Sequence, residues 1–133
     1  MATSVVGDFP AAPGRAKNAG LWFLQAASAA MFLMAGAPKL TGVESMVHVF
    51  AVVGLGQWLR YFTGVLEVAG AVTLLVPALA GVGALWLTAV MAGAVIAHLT
   101  VLGGNPVVPV ALLVAMAIVA WGRWERTARL LSR

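Results

Sequence analysis

Three ionisable side chains stand where an apolar chain has least room for them. Glu67 lies inside residues 61–80, YFTGVLEVAGAVTLLVPALA, a stretch otherwise free of charge. Lys39 closes the apolar run of residues 19–39, and His98 comes late in the apolar run of residues 82–102. An acidic side chain at membrane depth costs roughly 2.5 kcal/mol or more on insertion scales, so it faces the protein interior and seeks a partner. A carboxylate beside an ammonium stays ionised, whereas one enclosed by apolar groups keeps its proton and can donate it. A Glu–His pair can carry general acid–base or proton-relay work. The same groups can grip a quinone carbonyl or a small polar head group, or simply pin helices together as a buried polar network.

The elements that must position them follow from hydropathy and turn signals. A helix crossing a hydrocarbon layer of about 30 Å needs about 20 apolar residues. Four runs meet or approach that length, at about 19–39, 61–77, 82–102 and 107–121. The expectation is an all-α fold, a four-helix transmembrane bundle. Gln25, Phe32 and Lys39 recur by heptads on one face of the first run, with Ala29 and Gly36 between them, a stripe suited to other helices rather than lipid. Gly64, Glu67 and Ala71 share a face of the second. Pro38 weakens the last turn of the first run.

Between these two runs the pattern changes. Thr41-Gly-Val-Glu44 reads as a capping box. Val43, Met46, Val47, Phe50 and Val53 then recur at helical spacing, opposite Glu44 and His48. This predicts a short amphipathic helix over about 42–56, lying on the membrane surface. Gly54-Leu-Gly56 ends it, and Pro77 and Gly103-Gly104-Asn105-Pro106 mark later turns. At a rise of 1.5 Å per residue, Glu67 is roughly 9 Å and His98 roughly 6 Å below one common interface. Lys39 ends its span at that side, so the three groups fall in one layer, where mutual pairing is favoured. Arg60, Tyr61 and Asn105 would roof it as further binding residues.

Composition narrows the chemistry. Of 133 residues 62% are hydrophobic and only 9% charged, against about 25% charged in soluble domains. The absence of cysteine excludes a thiol nucleophile and Cys-ligated zinc or iron–sulfur. No metal set is recognisable. Haem on His98 and His48 makes a poor case, because the two lie at different depths. The net charge of +4 gathers mainly at the two ends, which fits contact with anionic lipid and not nucleic-acid binding. Residues 1–18 and the basic residues 123–133 read as tails. Arg15, Lys17 and the four late arginines put both termini in the cytoplasm by the positive-inside rule.

Phe32-x3-Gly36-x2-Lys39-Leu40, Gln57-Trp58-Leu59, Gly64-x2-Glu67-Val68-x-Gly70 and the late His98 resemble the DoxX/DoxD-like membrane family over about residues 20–122. That resemblance implies a four-helix bundle in the bacterial inner membrane. One branch of the family is a subunit of a thiosulfate:quinone oxidoreductase. Another is linked to a membrane-associated oxidoreductase complex with a superoxide dismutase and a sulfurtransferase. Lys39, Glu67 and His98 match polar positions of the family. The resulting expectation is a membrane subunit of a redox system, binding a quinone or another small amphiphile, with redox partner proteins or a homo-oligomer around it. The rivals are a self-contained enzyme with Glu67 and His98 as catalytic acid and base, and a non-catalytic anchor or assembly factor.

Overall fold

Three of the five helix breaks among the described residues fall where a glycine takes positive φ. Gly42, Gly54, Gly56, Gly103 and Gly104 all have positive φ, a conformation that costs glycine nothing. The computed structural model describes residues 12–132. Helix α1 is Ala12–Thr41, α2 is Glu44–Val53 and α3 is Trp58–Leu74. Helix α4, Ala80–Ala97, runs on into a π-helical turn at His98–Leu102. Helices α5, Val107–Gly122, and α6, Trp124–Leu131, complete an all-helical fold with no strand among the described residues.

Two segments, Gly14–Thr41 and Ala80–Leu102, are long and apolar enough to cross a membrane by themselves. Helices α3 and α5 hold 17 and 16 residues. They therefore reach roughly 25 Å at 1.5 Å per residue, short of the full hydrocarbon thickness. Each is joined to a short helix across a sharp bend, 116° between α2 and α3 and 66° between α5 and α6. Counting each bent pair as one span brings the number to four.

Several boundaries differ from the sequence reading. Helix α1 begins at Ala12, inside the stretch expected to be a tail; residues 1–11 and 133 lie outside the described residues. Pro38 lies within α1, which runs on to Thr41. The capping box does not form. Thr41 is still helical and its hydroxyl donates backward to the Ala37 carbonyl at 3.1 Å. Gly42, at φ 74°, makes the break instead, and α2 starts after Val43 without a side-chain cap.

Helix α1 packs on α3 and on α5, α3 packs on α4, and α4 packs on α5, closing a ring. Phe32, Leu74, Leu87, Met116 and Val119 fill its interior, all fully buried. Phe23, Met34, Ile96, Leu99 and Trp121 stand outside, a large apolar surface that suits lipid. The helices approach through glycine, as small residues allow in membranes. A Cβ on Gly36 would lie 2.9 Å from Val68 Cγ2 and 3.1 Å from the Gly64 carbonyl oxygen, leaving no room for one. Gly70 against Leu87 and Gly122 against Leu21 repeat the device on the α3–α4 and α5–α1 seams. Helix α6 folds back so that buried Thr127 sits over Gly81 of α4.

Candidate functional site

The Gly36–Gly64 seam brings one ion pair inside the ring. Lys39 Nζ lies 2.9 Å from Glu67 Oε1, and the Glu67 side chain is 1% exposed against 14% for Lys39. It is the one ion pair among the described residues. Lys39 also donates to the Ala35 carbonyl at 3.0 Å. Two of its three ammonium protons are thus engaged. Glu67 Oε2 is buried and has no hydrogen-bond partner among the described residues. Such an acceptor is expensive to bury unpaired. The site therefore presents one uncommitted donor and one uncommitted acceptor on adjacent residues.

Arg60 holds the pair from above. Its Nη1 donates to the Lys39 backbone carbonyl, and its Nε donates to Gln57 Oε1 at 2.7 Å. Gln57 Nε2 in turn donates to the Val47 carbonyl of α2 at 3.0 Å. A continuous line of hydrogen bonds so runs from α2 through Gln57 and Arg60 to the end of α1. The Arg60 guanidinium also lies over the Tyr61 ring, 4.2 Å from its centroid, a cation–π contact. Arg60 is buried, unusual for arginine, whereas Tyr61 is exposed.

The remaining predicted site residues make no hydrogen bond or ion pair with Lys39 or Glu67 among the described residues. His98 makes no ion pair with Glu67; its Nδ1 bonds the Ala94 carbonyl of its own helix at 2.8 Å, at the start of the π-helical turn. Asn105 is exposed, and its Oδ1 accepts from the Val107 N–H at 3.1 Å at the start of α5. Glu44 and His48 are both exposed on α2. No cluster of three histidine or acidic side chains fit to hold a metal occurs among the described residues.

A second polar knot, at the opposite end of the ring, was read from sequence only in part. Gln25, fully buried, donates to the Leu74 carbonyl of α3 at 2.7 Å and accepts from Arg123 Nε at 2.8 Å. Arg123 Nη1 donates to Asn18 Oδ1 at 2.8 Å, and its guanidinium lies 5.7 Å from the Trp22 ring centroid. Burial first, and the charge of Arg126 second, push the Arg123 pKa below its usual value. Arg126 donates to the Pro77 carbonyl at 3.2 Å. Gln25 is thus interhelical glue, as its position in an apolar span suggests. Two of the late arginines tie α5 and α6 to α1 and to the turn after α3.

Apolar helices ringed around an internal ion pair define a multi-pass helical membrane protein. A family model described as DoxX-like matches residues 23–121, and the chain belongs to the DoxX-like family. Neither a curated protein nor a solved structure matches it.

Proposed function

We propose that the chain spans the inner membrane four times as a four-helix bundle, with both termini cytoplasmic and the Lys39–Glu67 pair in the outer half. In this reading the pair binds a quinone or another small amphiphile, and the protein serves a redox system as its membrane subunit. One observation carries it: the unpartnered, buried Oε2 of Glu67 next to a lysine with a proton to spare. A ligand that both donates and accepts hydrogen bonds answers both groups. A reduced quinol, or a hydroxyl on another amphiphile, would donate to Oε2, and a carbonyl, as on the oxidised quinone, would accept from Lys39 Nζ. The exclusion of water from this depth makes each such bond stronger than it would be in solution. Arg60 and Gln57 fix the end of α1, so the lysine is held ready.

The test is native mass spectrometry of gently solubilised protein, followed by denaturation to release what is bound. The expected result is a stoichiometric quinone or amphiphile, lost in Glu67→Gln while the protein stays folded. A chain that carries nothing and tolerates Glu67→Gln would make the pair a helix pin and end this reading.

A further inference from the structure

The end of the ring where α1 begins and α5 ends carries a feature that the Lys39–Glu67 pair does not use. Lys17 precedes Lys39 by 22 residues on the same helix, so the two sites lie roughly 33 Å apart at 1.5 Å per residue. Between α1 and α5 runs an open apolar groove of about 330 Å³, with Gly20, Leu21 and Leu24 on one wall and Ile118, Trp121 and Gly122 on the other. Nothing stands within 4 Å of a Cβ built on Gly20, so this part of the wall opens to the surroundings. Lys17 closes the groove and also lines a second, more polar cavity of about 260 Å³, shared with Trp121, Trp124 and Glu125.

The charges in that second cavity are opposite yet not paired. Lys17 and Glu125 both line it, and no ion pair joins them among the described residues. The Lys17 ammonium instead lies 5.5 Å from the Trp121 ring centroid. Two nearby arginines are engaged elsewhere, Arg123 with Gln25 and Asn18 and Arg126 with the Pro77 carbonyl. Tryptophans such as Trp121 and Trp124 favour the level of lipid head groups. An apolar groove thus leads to a cation and an anion held apart at that level.

We infer that this is a binding site for a zwitterionic phospholipid with a primary ammonium head group, phosphatidylethanolamine in chemical class. An acyl chain lies along Leu21, Leu24 and Ile118. The phosphate faces Lys17, and the head-group ammonium lies by the tryptophan rings and donates N–H to Glu125, a bond that a quaternary ammonium cannot make. The groove volume sits at the lower end of the roughly 300–1,000 Å³ usual for small-molecule sites, suited to one chain rather than two. A lipid with an anionic phosphate and an uncharged tip satisfies Lys17 but leaves Glu125 without a cationic partner. The inference stands whether or not Glu67 binds a ligand.

Native mass spectrometry of the full chain, from micelles holding equal amounts of phosphatidylethanolamine, phosphatidylglycerol and phosphatidylcholine, tests it. One phosphatidylethanolamine per chain is the expected retained species. Glu125→Gln removes the preference over phosphatidylglycerol. Lys17→Gln weakens retention of both, roughly fivefold, the factor set by a partly exposed ion pair of about 1 kcal/mol. Both residues are exposed, and unchanged circular dichroism melting of each variant separates lost binding from lost folding. Equal retention of all three lipids, a preference for phosphatidylglycerol or phosphatidylcholine in the unaltered chain, or insensitivity to both substitutions would overturn the assignment.

Discussion

Removing Lys39 should harm the protein far more than removing Glu67, although the two share one bond. The asymmetry comes from their surroundings. Glu67 is 1% exposed and has Lys39 as its sole polar partner among the described residues, so Lys39→Met leaves a carboxylate enclosed and unpaired. Breaking a buried pair from one side costs about 3–5 kcal/mol. Glu67→Leu leaves an ammonium that is 14% exposed and still bonded to the Ala35 carbonyl. Its flexible stem can also carry the charge toward the interface. The loss is then nearer the about 1.5–3 kcal/mol of a hydrogen bond to a charged group. The double variant Lys39→Met/Glu67→Leu should return to within about 1 kcal/mol of the parent, or exceed it, because an apolar pair of similar volume needs no desolvation. The assay is reversible unfolding in mixed micelles followed by far-ultraviolet circular dichroism, with all four proteins in one double-mutant cycle. Equal costs for the two single changes, summing in the double, would show that the pair is neither enclosed nor coupled, and the reasoning would fail.

Gly36→Ala should destabilise by about 1–3 kcal/mol, since the new Cβ meets a backbone carbonyl 3.1 Å away as well as Val68. Gly93→Ala, where a Cβ meets nothing within 4 Å, should stabilise by about 0.5–1 kcal/mol in the same unfolding measurement. Gln25→Leu strips Arg123 Nε of its acceptor and the Leu74 carbonyl of its donor. It should cost about 1–3 kcal/mol, with faster proteolysis after α5 as a second readout. Arg60→Lys keeps the charge but not the fork that spans Gln57 and Lys39, so stability and ligand retention at Glu67 should both drop, while Tyr61→Phe should leave both nearly unchanged.

How legible these arrangements were in the sequence depended on what kind of coordinate each required. Depth along a helix follows from counting residues, and it set Lys39 and Glu67 at matching levels on faces lined by Gly36 and Gly64. The direction in which a side chain points around its helix does not follow as directly. His98 has a suitable depth, but its ring turns to the Ala94 carbonyl at a π-helical turn that no composition announces. Thr41 and Glu44 satisfy the spacing of a capping box. The positive φ of Gly42 between them decides otherwise, because α1 stays helical through Thr41. Arg123 was hidden by its company: among four arginines near a chain end, the one that reaches Gln25 across 98 residues of sequence carries no local mark. Phe32 and Leu74 needed no such detail, since any apolar residue on the inward face of its helix ends in the core.

The order of the ion-pair partners along the chain has a consequence for how the protein is made. Lys39 is synthesised 28 residues before Glu67, and the bend of 116° after α2 turns α3 back toward α1. The helix bearing the counter-ion leaves the ribosome before the segment bearing the carboxylate. Glu67 therefore need not enter lipid alone, a step that costs roughly 2.5 kcal/mol or more for an isolated helix. A lysine on a later helix could still pair with Glu67 in the finished fold, yet it would remove the escort that the acidic helix has during insertion.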